Sequence, residues 1–355
     1  MRYYTPVFRF FRRPFKRLKL YLKQKAGWLG VPKIIAYRGY ANNREAFITA
    51  RVVEDSGLTK PRADQNVWRN AMATIKRFSS DEIAGVNVVA TFNNTSQTAM
   101  TDEYGFVEFR FEIDPAQRRN TENTWFPVQF KLIDKVVEDQ PETRATGEIL
   151  KIGSSPDKII VSDIDDTIMI SYSTQVLKKL RLMLFKNAYT RMPFNGVINF
   201  YHSLRISNSG DAHAPFFYVS SSEWNLFDLL DDFFRQNKLP KGVFLLRKLN
   251  YSIYKFWKSG GGNHEHKYEQ IRSLLQFYPE KKFVLLGDSG QRDPDIYKRL
   301  AYEFPTRIEK VYIHKLKSSR TDNFSDYAHE LKKLDIHFSK LNKYPTTKQF
   351  DHKVH

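Results

Sequence analysis

Three short segments of the chain hold acids, hydroxyls and a turn in the combinations that phosphate chemistry requires. Asp163 and Asp165 stand two residues apart in Asp163-Ile164-Asp165-Asp166-Thr167. Ser220 opens Ser220-Ser221-Ser222, and Asp288 lies in Gly287-Asp288-Ser289-Gly290. Adjacent acids repel when desolvated, so stability does not explain their presence. A divalent cation resolves the repulsion. Hard oxygen donors favour Mg²⁺, which keeps several waters and accepts substrate phosphate oxygens. Ser220 offers a hydroxyl donor and Lys267 a positive charge. A metal, a cation, a hydroxyl and an aspartate nucleophile are the parts of phosphoryl transfer through an aspartyl-phosphate.

The elements that must hold these residues are short apolar strands. Lys158-Ile159-Ile160-Val161-Ser162 runs into Asp163, and Phe216-Phe217-Tyr218-Val219 runs into Ser220. Lys282-Phe283-Val284-Leu285-Leu286 runs into Gly287, and Val311-Tyr312-Ile313 reads as a fourth strand. Apolar strands separated by helical segments predict a parallel sheet covered on both faces. In such sheets ligands sit beyond the carboxyl ends of the strands, where all three polar clusters lie. Each residue also has a plainer reading. The acids would serve as turn or helix-capping groups, Ser220 as a cap for a helix starting near Trp224, and Lys267 as a solvated lysine on a helix from His266 to Phe277. His264 and His266 read as solvent or substrate-edge histidines, and Gly260-Gly261-Gly262 as a hinge.

Taken in order, these segments resemble the haloacid dehalogenase superfamily. Asp163-Ile164-Asp165-Asp166-Thr167 is similar to its first motif, Ser220 after an apolar strand to its second, and Lys267 to its third. Gly287-Asp288 with Asp293 is similar to its fourth. More narrowly, Tyr218 to Ser222 and Gly287 to Tyr297 resemble the catalytic domain of the actin-patch-associated phosphatidate phosphatase family, over roughly residues 155–315. The resemblance implies an α/β three-layer Rossmann-like fold and hydrolysis of phosphatidic acid or another phosphomonoester. It implies Asp163 as nucleophile and metal ligand, and Asp165 as general acid and base and a metal ligand through its carbonyl. Asp288 and Asp293 complete the metal set; Thr167, Ser220, Ser221 and Lys267 stand around the phosphate. Mg²⁺ is the implied cofactor. Two positions depart from the family: Glu223 stands where Pro is usual, and His314 where Arg is usual.

The first half of the chain reads differently. Val86, Val88, Ala90 and Phe92 alternate with other residues, as do Val107, Phe109, Phe111 and Ile113, and Val128, Phe130 and Leu132. With Ile48, Ala50 and Val52 they predict a small antiparallel β-sandwich. Helical faces are expected at Val67–Phe78 and Val176–Leu184. The expected organisation is a basic aromatic segment over 1–33, the sandwich over 34–152, the phosphatase-like domain over 153–318, and a surface helix and loose tail over 319–355.

Charge and composition bound the partners. The net charge is +18, of which residues 1–33 carry +10, with ten Lys or Arg and no acid. Their cations interleave with Tyr3, Tyr4, Phe8, Phe10, Phe11, Phe15, Tyr21 and Trp28, a pattern suited to an anionic membrane surface through residues 1–28. Nucleic acid is the less favoured partner. The absence of cysteine excludes disulfides, thiolate nucleophiles and Cys-bound zinc, and it suits a cytoplasmic protein with peripheral membrane attachment. Three activities remain open: a lipid phosphatase, the same chemistry on a soluble ester or polynucleotide end, and a non-catalytic lipid or polyanion adaptor.

Overall fold

The computed structural model describes residues 28–55, 81–113, 121–165, 167–168, 196–206, 213–247, 265–316 and 324–344. The basic segment 1–27, the helical faces at 67–78 and 176–184, Gly260 to Gly262 and His264 lie outside the described residues. The chain divides into two compact units, with the main boundary between Lys151 and Ile152. No helix among the described residues is long and apolar enough to cross a membrane.

The first unit holds eight strands: β1 (Pro32–Ala36), β2 (Arg38–Ala41), β3 (Glu45–Glu54), β4 (Asn87–Phe92), β5 (Thr95–Met100), β6 (Phe106–Glu112), β7 (Thr124–Leu132) and β8 (Arg144–Lys151). They form one hydrogen-bonded network in the order β1-β3-β2-β8-β7-β4-β5, with β6 on β3. All pairings are antiparallel except β2 with β8. The alternating apolar residues face one interior: Phe109 on β6 meets Phe130 on β7 at 5.9 Å, and Phe111 meets Phe92 on β4 at 5.4 Å. These strands share no ladder, so the sheet bends until its wings face each other. β5 carries no apolar alternation and pairs only because Asn93 and Asn94, both at positive φ, close a two-residue turn.

The second unit contains β9 (Lys158–Asp163), α1 (Val197–Arg205), β10 (Phe216–Glu223), a 3₁₀ turn (Trp224–Leu226), α2 (Phe227–Gln236), β11 (Gly242–Arg247), α3 (Glu265–Phe277), β12 (Lys282–Asp288), α4 (Asp293–Glu303), β13 (Ile308–His314), α5 (Phe324–Lys333) and β14 (His337–Leu341). The six strands are all parallel, in the order β11-β10-β9-β12-β13-β14. Both faces are covered. Phe216 and Tyr218 on one face of β10 meet Tyr201 of α1 and Phe234 of α2, while Phe217 on the other face meets Tyr278 after α3. This double cover explains why β9 and β12 are apolar throughout rather than alternating.

The chain crosses from β11 to the far side of β9 to form β12. The strand order therefore reverses between β9 and β12, and a crevice opens at their carboxyl ends. The segment after Lys315 contains the helix α5 and then β14, a strand in place of the expected loose tail, and Lys315 N–H donates to Leu341 C=O at 2.8 Å. A short, half-exposed edge strand buries too few apolar residues to stand out in the sequence.

Candidate active site

β9 and β12 are neighbours, so their last residues, Asp163 and Asp288, share one rim. Asp293 reaches the same rim from the first turn of α4, where an acid also suits the positive end of the helix dipole. One oxygen from each of Asp163, Asp288 and Asp293 lies within 4.8 Å of the others, and the three are 0–1% exposed. Lys267, near the start of α3, is equally buried. Its Nζ stands 2.8 Å from Asp163 Oδ1 and 2.9 Å from Asp293 Oδ1, and it donates to Gln291 Oε1 at 3.1 Å. Asp288 Oδ1 accepts from the N–H groups of Gly290 at 2.6 Å and Gln291 at 3.0 Å, which ties the loop after β12 around its carboxylate.

Electrostatics follows from this packing. Burial pushes the Asp163 carboxyl well above the usual range, Lys267 opposes that, and Asp293 and Asp288 add to it. Burial alone would favour a neutral Lys267 amine, but Asp163, Asp293 and Asp288 outweigh it and hold the ammonium charged. With all three carboxylates ionised, they would exceed the single ammonium by two negative charges in a desolvated pocket. All-oxygen donors and a deficit of two charges fit a divalent cation of the Mg²⁺ kind. Such an ion would reverse the upward pressure on Asp163.

Asp165 stands apart from the three-acid cluster. Its Oδ2 accepts from Ser220 Oγ at 2.8 Å and from Ser222 Oγ at 3.4 Å. Thr167 Oγ1 donates to Asp163 Oδ2 at 3.4 Å. Ser220 is fully buried in β10, just past the last pairing with β9, where Val219 is in register with Asp163. Ser221 lies in a stretch of β10 where the pairing with β11 shifts register between Val219 and Glu223, and Ser222 N–H donates to Ser220 Oγ at 2.9 Å. The reading of the sequence passed over Ser222 and Gln291. The two-residue spacing from Ser220 was the available signal for Ser222; Gln291 sits in a loop with none.

The two departures from the family have visible partners. Glu223 faces its register partner Arg247 on β11, with carboxylate and guanidinium 3.6 Å apart. His314 is buried in register with Asp288, and its ring stacks on Tyr344 at 5.0 Å. His266 is neutral at physiological pH, because burial and the nearby Arg247 lower its pKa to about 4.

Gly287 is required by close approach. A Cβ there would lie 2.6 Å from Asp293 Oδ2 and 2.8 Å from Tyr297 Oη. Gly287→Ala is expected to displace the Asp293 carboxylate, lower stability by about 1–3 kcal/mol and weaken Mg²⁺ binding. Calorimetric melting and Mg²⁺ titration check this; unchanged values in both would show that Asp293 is not held against this glycine.

The second unit is a parallel α/β unit with acids and a lysine gathered at its strand-order reversal. Residues 158–315 match the family described as "Phosphatidate phosphatase APP1, catalytic domain". Phosphatidate phosphatase APP1 of Saccharomyces cerevisiae is 31% identical over 163 residues, covering 46% of this chain and 27% of its own. An uncharacterized protein of Schizosaccharomyces pombe is 25% identical over 308 residues, covering 85% of this chain and 48% of its own. The chain thus spans less than half the length of either relative. A carbohydrate acetylesterase from Xanthomonas citri aligns over 85% of this chain and 66% of its own, but a TM-score of 0.27 and 9% identity carry no argument.

Proposed function

We propose that the chain hydrolyses the phosphomonoester of phosphatidic acid to diacylglycerol, with Mg²⁺, through an aspartyl-phosphate on Asp163. The domain would be a three-layer Rossmann-like member of the haloacid dehalogenase superfamily over 153–318. The observation that supports this most is Lys267 Nζ lying 2.8 Å from Asp163 and 2.9 Å from Asp293. Asp163, Asp288 and Asp293, with the Asp165 carbonyl, would hold Mg²⁺, which supplies charge neutralisation at the transferred phosphoryl group.

The side chains perform the rest. Asp163 forms a bond to phosphorus as the ester P–O bond breaks, and Asp165 gives its proton to the departing diacylglycerol oxygen. With Ser220 and Ser222 occupying Oδ2 of Asp165, that proton belongs on Oδ1. Asp165 then removes a proton from water, whose oxygen attacks phosphorus, expels the Asp163 carboxylate and releases inorganic phosphate. Lys267, Thr167, Ser220 and Ser221 surround the phosphate. The basic aromatic segment 1–28 docks the enzyme on an anionic bilayer from the cytoplasm, and the antiparallel unit, as a sandwich-like module, supports or recognises a partner.

The test is phosphate release from phosphatidate vesicles, soluble phosphomonoesters and a 5′-phosphorylated oligonucleotide, each with Mg²⁺ or with chelator. Release from vesicles, lost with chelator, is expected. Release confined to the soluble ester or the oligonucleotide would move the substrate. Vesicle binding without release from any ester would make the protein an adaptor.

A further inference from the structure

Resting on that reading of the site, we infer that Tyr344 and Tyr201 are positioning residues that brace the Asp163–Thr167 loop from outside the family-matched motifs. The loop must hold Asp163 and Asp165 in fixed relation, yet β9 ends at Asp163 and only an isolated bridge at Asp165 follows it among the described residues of the loop. Two main-chain carbonyls at the ends of the loop are gripped instead. Tyr344 Oη donates to Thr167 C=O. Ser162 Oγ donates to Asp163 C=O at 2.7 Å, so its 2.6 Å contact with Tyr201 is a bond donated by the Tyr201 hydroxyl.

The two phenols belong to one aromatic cluster. Their rings lie 6.5 Å apart, edge to face; Tyr344 also packs on Phe200 at 5.4 Å and stacks on His314 at 5.0 Å, and Tyr201 stacks on Phe216 at 5.7 Å. Tyr201 comes from α1. Tyr344 follows β14, beyond residue 315, where the family match stops. Both rings are almost fully buried, 0% exposed for Tyr201 and 4% for Tyr344. A buried phenol must satisfy its hydroxyl, and an aromatic body with one polar tip is suited to fix a carbonyl inside a dry wall. The segment after β13 thereby becomes part of the catalytic apparatus, acting through the loop and without touching substrate. His314 at the family's usual Arg position fits the same account, since it provides the flat ring on which Tyr344 lies.

Tyr344→Phe and Tyr201→Phe keep the rings and remove only the hydroxyls. The Ile168 amide, which donates to Ile164 C=O at 3.0 Å, reports the loop by hydrogen exchange. Each variant is expected to speed exchange at Ile168 by about 10-fold or more and to leave the sheet amides of Val219 and Leu285 unchanged. On phosphatidate vesicles each is expected to lower kcat by about 10-fold with KM within about 2-fold of the parent. Unchanged exchange at Ile168 in both variants overturns the brace. Faster exchange with undiminished kcat overturns its positioning role. If the parent protein releases phosphate from no ester, the hydrolase reading falls, while the exchange comparison alone still decides whether the two hydroxyls hold the loop.

Discussion

Asp163→Asn removes phosphatidate hydrolysis, by about 10⁴-fold or more, while making the cation-free protein more stable. The activity loss follows from the nucleophile: an amide oxygen does not form the phosphoryl-enzyme, and removal of one member of a catalytic set costs nearly as much as removal of the set. The stability gain follows from charge. Asp163, Asp288 and Asp293 are buried together beside Lys267, so an amide at 163 removes the cost of either protonating that carboxyl or holding a third charge there unscreened by solvent. Lys267 keeps its 2.9 Å partner, Asp293. A gain of about 1–2 kcal/mol, or ~2–8 °C in melting temperature, is expected in chelator. Steady-state kinetics and calorimetry check the two halves separately. Retained turnover would remove Asp163 as nucleophile, and a lower melting temperature would remove the account of excess negative charge.

Lys267→Met is equally inactive but shifts stability the other way. The methionine fills the space of the stem and leaves Asp163 and Asp293 facing each other without the ammonium now 2.8 and 2.9 Å away. Breaking a buried pair by removing one partner costs about 3–5 kcal/mol, because the surviving charge stays buried. The melting transition of the parallel-sheet unit is expected to fall by ~6–20 °C in chelator, and activity by about 10³-fold or more. A loss under ~1 kcal/mol would mean that the carboxylates are already neutral and that Lys267 carries little charge balance. Two inactive variants with opposite stability changes distinguish a charge-balanced site from a merely damaged one.

Some of this architecture is written locally in the chain. A strand buried on both faces must be apolar throughout, so Ile159 to Val161 and Phe283 to Leu286 stand out without any structure, as do the acids that end them. The alternation at Val88, Ala90 and Phe92 and at Val107, Phe109 and Phe111 is likewise local, because each residue faces an interior on one side only. β5 is hidden because its residues are mostly exposed, and its place is decided by the turn at Asn93 and Asn94 together with its partner β4. β14 is hidden because an edge strand needs only one neighbour.

The sequence by itself determined which residues are apolar on which period, which acids end which strands, and where positive charge accumulates. Those properties depend on side-chain chemistry and on neighbours a few positions away. Only the tertiary structure decided that β12 lies beside β9, that Lys267 bridges Asp163 and Asp293, and that Ser220 and Ser222 both serve Asp165. It alone brought Tyr344 back to Thr167 across 177 residues. The reason is physical: strand order, and the charge balance of a desolvated rim, are set by long-range packing free energy, and no short window of the chain encodes that sum.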